Sequence, residues 1–469
     1  MLFSSISFLY YFLPLVLILY FLAPRKLKNP VLLIASLFFY AWGEPKCVFL
    51  MLATVLVNYI FGILIEKAKE KYLKKLFLFI TVGLTLSGLL YFKYTGFFVM
   101  NYARLMGWPL ELMDIYLPVL PIGISFYTFQ VLSYSVDVYR GEVPAQKNPI
   151  TLATYIALFP QLIAGPIVRY KDVADQLRER THSFEKIASG VRRFILGLAK
   201  KVIFANTLGE LCESFYASTD LSVVYYWLFA VSFMLQIYFD FSGYSDMAIG
   251  LGRIFGFEFL ENFRYPFISK SLSEFWRRWH ISLGSWFRDY VYIPLGGNRV
   301  GKVRLLFNLF VVWFLTGFWH GAEWNFIIWG LYFFVMLLIE KTFLTKYIEK
   351  SKVLAHIYTL FFIAVSFVIF SGNGAYQAIA RVGGLFGAGG IPFVSGAVLY
   401  TLKNYGFVLI LAILGATPLP KKIGEMLLAN PKTQKVTDIL EILLLVVLLV
   451  VVTAFLVDGS FNPFLYFRF

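Results

Sequence analysis

The sequence predicts an all-α polytopic membrane protein, and three observations carry that expectation. Apolar runs of about 17 to 22 residues recur from end to end, each long enough to cross a hydrocarbon core of about 30 Å. Charged residues make up 15% of the chain, below the roughly 25% of soluble domains. The 469 residues include 51 Phe, 30 Tyr and 10 Trp, more rings than interfacial belts alone require, so a lined interior is expected too. Exposed strand edges are not tolerated in lipid, so the runs read as helices packed on helices.

Taken in order, spans are expected near 3–22, 30–42, 47–65, 75–92, 117–138, 149–168, 186–204, 222–243, 304–320, 324–342, 354–371, 396–415 and 437–457. The first is a retained anchor with its N-terminus outside. It is too long for a signal-peptide core, no basic residue precedes it, and Arg25, Lys26 and Lys28 follow. The run 30–42 is short, and 96–112 and 244–292 read as further helices that need not span. Basic clusters assign the cytoplasmic side: Arg25 to Lys28, Lys67 to Lys75, Arg169 to Arg180, Arg264 to Arg304, Lys341 to Lys352, and Lys421, Lys422, Lys432 and Lys435. The loop 206–220, with Glu210, Glu213 and Asp220, and the glycine-rich 383–390 belong outside. Arg140 and Lys147 conflict with simple alternation, and Lys200 and Lys201 near an outer end do so mildly. No repeat or soluble segment interrupts the pattern, so residues 1–469 form one membrane-embedded domain, its histidine-bearing core at about 117–343.

The net charge of +15 is spread over many short loops, which excludes nucleic acid as its reason. The positive-inside bias and anionic lipid account for most of it, and an anionic ligand at 261–304 for the rest. Cys47 and Cys212 make neither a disulfide framework nor a metal site. No Ser-His-Asp order, HExxH or CxxC is present, so no metal and no tightly bound cofactor is expected.

The stretch Ser273–Arg299 and the motif Trp319-His320-Gly321 hold two of the four histidines. Wound as one helix over 275–290, Trp276, Trp279, His280, Leu283, Phe287 and Tyr290 share a face. Arg277, Arg278, Ser282, Ser285, Arg288 and Asp289 share the other. His320 ends the apolar run Leu305–Trp319, between Gly317 and Gly321, where the flanking helices break. A histidine at membrane depth is a functional candidate, and imidazole can take a proton from an alcohol near neutral pH. The alternative for both histidines is a structural role, buried and bonded to a neighbour. Glu323 is a possible partner for His320.

Between Glu261 and Arg304 there are eight basic residues against three acids. Tyr292–Arg299 reads as a turn whose glycines suit either a phosphate or a lipid headgroup. Asp240 and Asp246 lie about 120° apart on a helix, and Asp246 is expected to cap a helix 247–256. Pro121–Phe126 and Gln161–Arg169 read as helix breaks near a bilayer face.

Pro121–Arg140 (PIGISFYTFQVLSYSVDVYR), Ala164–Tyr170 (AGPIVRY), Phe239–Phe257 (FDFSGYSDMAIGLGRIFGF), Asn262–Arg299, Trp319-His320-Gly321 and Asn462–Phe469 (NPFLYFRF) resemble the membrane-bound O-acyltransferase family. More narrowly, they resemble its bacterial alginate O-acetyltransferase branch. The resemblance implies a helical bundle with a transmembrane tunnel in a bacterial cell membrane. The family's two histidines map onto His280 and His320, with His320 the principal catalytic one. It implies transfer of an acetyl group from a cytoplasmic donor, acetyl-CoA, toward an extracytoplasmic polysaccharide such as alginate. A separate extracytoplasmic acyltransferase partner would complete the transfer. The basic excess suits the phosphates of CoA, which places Arg277, Arg278 and Arg288 near the donor, beside Trp276 and Trp279. Alternatives are D-alanyl transfer from a carrier protein to teichoic acid, or a non-catalytic scaffold or transporter of an exopolysaccharide machine.

Overall fold

The computed structural model describes residues 1–109, 117–348, 350–430, 433–459 and 461–463, and these form helices and turns without strands. A short π-helical opening leads into α1 (Leu13–Leu22), followed by α2 (Lys28–Ala41) and α3 (Cys47–Lys67). Next, α4 (Lys71–Leu89) continues through a π-helical turn, Leu90–Tyr94, into α5 (Thr95–Met106) as one 36-residue rod. The expected separate helix 96–112 is therefore the end of that rod, and its residues 110–112 lie outside the described residues. So do Lys432 and residues 464–469 of the tail.

Among the described residues, eight helices are long and apolar enough to cross a membrane: α3, the α4–α5 rod, Val223–Ile254, Lys302–His320, Trp324–Ile348, Lys352–Phe370, Gly396–Gly415 and Gln434–Val457. Five of the expected spans behave differently. The helix at Phe8–Leu22 is apolar but shorter, and α2 has 14 residues. In place of 117–138 stands α6 (Ile124–Arg140), buried along nearly its whole length. It is a central post, not a lipid-facing span. The segment 186–204 is the first part of a continuous rod, α10 (Phe184–Ala199), a π-helical turn at Lys200–Ala205, and α11 (Asn206–Ala217). Most of the expected outer loop 206–220 is thus helix.

The fifth expected span, 149–168, does not cross. It enters as α7 (Pro149–Ala157) and α8 (Phe159–Leu162) and returns through non-helical 163–169 into α9 (Tyr170–Arg178). Both ends are pinned at one face. Arg140 donates to the Asp289 carbonyl at 3.1 Å, Arg169 pairs with the Asp289 carboxylate at 2.6 Å, and Lys171 pairs with Glu142 at 2.7 Å. At the deep end, Gly123, at the start of α6, leaves room only for the Leu162 carbonyl. The return through 163–169 leads from the Gly123 end of α6 to Tyr170, whose ring packs on Tyr134 of the same helix at 5.0 Å. Such backbone is tolerated at depth only inside protein, and residues 161–168 are all buried. With this segment uncounted, alternation places Arg140, Lys147 and Arg169 on one face, and their conflict disappears.

A second segment does the same. The expected single helix over 275–290 is two short ones, α13 (Leu272–Arg278) and α14 (Ile281–Phe287), broken at His280. The entering end is held by Glu340, whose carboxylate accepts the N–H groups of Leu272 (2.6 Å) and Ser273 (3.0 Å). The returning end is held by Tyr290, whose hydroxyl donates to Asp137 at 2.9 Å. His280 is the apex, in the left-handed region at φ 44°.

The remaining helices enclose these two hairpins: α12 (Val223–Ile254), α15 (Lys302–His320), α16 (Trp324–Ile339), α17 (Thr345–Ile348), α18 (Lys352–Phe370), α19 (Gly374–Leu385), α20 (Gly396–Gly415), α21 (Leu419–Ala429) and α22 (Gln434–Val457). A glycine seam joins α10 to α12. A Cβ on Gly190 or Gly197 would strike the Gly250 or Gly243 carbonyl, and the reverse holds equally. Close backbone approach of this kind substitutes for the hydrophobic drive that lipid does not supply. The seam also settles the carboxylates. Asp240 pairs with Lys201 at 2.6 Å, and Asp246 pairs with Lys200 at 2.7 Å and Arg193 at 2.8 Å. Asp246 caps nothing, because α12 runs unbroken through it. Lys200 and Lys201 tolerate their depth because each has a carboxylate partner.

Single cysteines at Lys147 and Lys171, in a chain freed of Cys47 and Cys212, should react with an impermeant maleimide from one side of the membrane. A cysteine at Asp220 should react only from the other. Opposite-side labelling of 147 and 171 would mean that 149–168 crosses.

Candidate active site

His320 is the last residue of α15, and α16 begins at Trp324. The break is built from small residues, as expected. Gly317 packs on the Phe326 carbonyl and Gly321 on the Phe326 ring, with no room for a Cβ at either. His320 is 2% exposed and sits among rings. Trp319 lies 5.1 Å from it, Trp329 5.0 Å and Phe370 5.5 Å, centroid to centroid. Glu323 is exposed on the loop and is not a buried partner of the imidazole.

The apex of the second hairpin brings His280 to 6.5 Å from His320, ring to ring, with Trp319 beside both. Asn262 fixes His280. The Asn262 Oδ1 accepts from the Ser282 backbone N–H at 3.2 Å and the Ser282 hydroxyl at 3.0 Å, while its Nδ2 donates to Ser245 Oγ at 3.1 Å. A backbone N–H can only donate, so this oxygen is an acceptor. His280 Nδ1, 3.2 Å away, must therefore carry its proton. His280 Nε2 is left with its lone pair, buried and without a hydrogen-bond partner among the described residues.

Of the residues expected at the donor, Trp276 packs on Trp313, Trp329 and Phe333, and Trp279 stacks on Phe275. Arg278 pairs with Glu274 at 2.8 Å and Arg288 with Asp289 at 2.7 Å. Arg277 is exposed and makes no ion pair among the described residues. The three guanidiniums therefore do not converge on one point. The expected partition of faces survives the break for Trp279, His280, Leu283 and Phe287, which are buried. It fails for Ser282, whose hydroxyl is buried at the Asn262 node and accepts the Ile167 N–H at 3.0 Å. The turn Tyr292–Arg299 forms as expected, with Gly296 and Gly297 at positive φ. Its Leu295 and Gly297 carbonyls are held by the Asn308 amide.

Lys93, Tyr94 and Asn262 escaped the sequence reading. Lys93, in the π-helical turn after α4, is buried and donates to the Trp319 carbonyl at 2.5 Å and to Ser125 Oγ at 3.0 Å. Beside it Tyr94 donates to the Phe318 carbonyl at 2.8 Å. Together they cap the C-terminus of α15, where a cation meets the negative end of the helix dipole. A signal was present: Lys93 is the one charged residue between positions 76 and 103. Asn262 carried no local signal, since its partners lie 17 to 20 positions away. Two cavities lie elsewhere, one of about 160 Å³ beside Thr85 and Tyr127 and one beside Phe98 and Trp108.

Replacing Asn262 with Leu would strand Ser245, Ser282 and His280, each unmet buried group costing about 1–3 kcal/mol. Asn262→Leu should lower the unfolding midpoint in detergent by several degrees. An unchanged midpoint would mean that the node does not hold the hairpin.

Residues 34–376 match the membrane-bound O-acyltransferase family. A probable alginate O-acetylase of Pseudomonas putida is 40% identical, with 100% of both chains covered. A peptidoglycan O-acetyltransferase of Helicobacter pylori is 34% identical over 83% of this chain and 81% of its own. A teichoic acid D-alanyltransferase of Bacillus subtilis is 30% identical over 54% of this chain and 69% of its own.

Proposed function

This chain belongs to the membrane-bound O-acyltransferase family, and from that premise we propose that it moves an acetyl group from cytoplasmic acetyl-CoA across the membrane to O-acetylate an extracytoplasmic polysaccharide such as alginate. It is an acyltransferase and a multi-pass protein of the bacterial inner membrane. The acetyl reading is favoured over D-alanyl transfer by end-to-end coverage of the alginate O-acetylase, against 54% for the D-alanyltransferase.

The observation that carries the mechanism is the buried pair of imidazoles at 6.5 Å. An alcohol attacking a thioester must lose its proton as the C–O bond forms. His320 takes it as general base, and His280, through its free Nε2, orients the reacting group. The positive-inside bias puts the hairpin mouths, with Arg277 and the 261–304 loop, on the cytoplasmic side. The group bound there is then a phosphate-rich acyl donor. The acceptor reaches the site from the far side, by way of an extracytoplasmic partner acyltransferase. A scaffold or transporter would need neither histidine.

His320→Ala should cut acetyl transfer by about 10²- to 10⁴-fold while membrane insertion is kept. Activity above about a tenth of wild type would make His320 structural. Arg277→Ala should raise the donor KM with little change in kcat, and Arg288→Ala, already paired with Asp289, should do so less. An unchanged KM in Arg277→Ala would remove α13 from the donor's path.

A further inference from the structure

Two indole N–H groups in this chain find a backbone acceptor. Trp286 donates to the Phe129 carbonyl at 2.9 Å and Trp227 to the Leu385 carbonyl at 3.0 Å. Three others do not: Trp276, Trp319 and Trp329 have buried Nε1 atoms without an acceptor among the described residues. All three belong to one cluster. Trp319 and Trp329 flank His320 at 5.1 and 5.0 Å, and Trp276 lies 5.6 Å from Trp329. An indole nitrogen can only donate. A buried donor without an acceptor costs about 1–3 kcal/mol, and native proteins keep few of them. Trp319 is 4% and Trp329 2% exposed, so bulk water does not supply the missing acceptor. A further polar group lies nearby. Gln130 has both amide atoms buried and without a partner among the described residues, on the α6 face shared with Phe126 and Phe129, whose rings contact Trp319.

We propose that the indole N–H groups of Trp319 and Trp329 bind the acyl carbonyl oxygen and stabilise the oxyanion it becomes. This rests on the acyl-transfer reading above. The acceptor hydroxyl oxygen adds to the acyl carbon, its proton passes to His320, and the carbonyl π pair moves onto oxygen. Two donors fixed by packing meet that charge in a site closed to bulk water, where such donors act most strongly. When the pair returns, the C–S bond breaks, and the leaving thiolate takes the proton from His320. The tryptophan of the Trp-His-Gly motif is then catalytic together with the histidine beside it. Trp329 supplies the second donor from the opposing helix.

The test uses the purified full-length protein in detergent or proteoliposomes. Trp329→Phe keeps the ring and deletes the N–H. It should lower kcat by about 10²- to 10³-fold with the acetyl-CoA KM little changed. A kcat within about threefold of wild type, with His320→Ala inactive, overturns the proposal while leaving the general-base reading intact. An active His320→Ala beside an inactive Trp329→Phe sinks the general base and upholds the indoles. Independently of any variant's folding, ¹⁵N-indole labelling reads the wild-type protein. A CoA ketone, with methylene in place of the thioester sulfur, should move two indole N–H resonances downfield. Trp319→Phe and Trp329→Phe assign them. Saturating ketone that leaves every indole resonance in place overturns the proposal.

Discussion

The hydrogen bond from the Ile167 N–H to the Ser282 hydroxyl joins two segments that enter the membrane and leave by the face they entered. Each carries backbone that is not helical at depth, which lipid forbids unless protein covers it. Each hairpin therefore requires the other, and both require the surrounding helices. Asn262 extends the link to α12 through Ser245 and to the imidazole of His280. The site is thus anchored at three elements by side chains that are almost fully buried. Polar groups this deep are held by their bonds alone, since no hydrophobic gain favours their position.

Charge at depth follows the same logic in two forms. Lys200 and Lys201 are neutralised by Asp246 and Asp240 across a glycine seam. Lys93 pairs with no carboxylate among the described residues and is held by a hydroxyl and by the carbonyl end of α15. These pairs stabilise the packing of the α10 rod on α12. Lys93 instead fixes the last turn of the helix that ends in His320, so its cation bears on where that imidazole sits.

Much of this was legible in the sequence, and the failures have a common cause. Hydropathy identified every long lipid-facing span, because those helices must be apolar all round. The Trp319-His320-Gly321 break was readable because its glycines and the flanking apolar runs are adjacent in sequence. Residues 149–168 and 275–290 are apolar or amphipathic enough to pass for helices, yet both are hairpins. Periodicity reports what a residue faces and not whether that neighbour is lipid or protein. The conflict over Arg140 and Lys147 was the visible trace of the first hairpin. Asn262 and the unmet indoles depend on contacts between distant elements, which no local pattern encodes.

The left-handed backbone at His280 bears on how any substitution there can be interpreted. A side chain other than Gly, Asn or Asp is disfavoured at positive φ by about 1–3 kcal/mol, and the surrounding bonds must hold it there. Alanine at this apex would delete the ring and its bond to Asn262 together, leaving a residue with no reason to stay in that conformation. The hairpin tip could then relax, and a loss of activity would report a moved backbone as readily as a missing nitrogen. Asparagine tolerates the same dihedrals and retains a polar group, so it separates the two. The position selects for residues by conformation before it selects by chemistry.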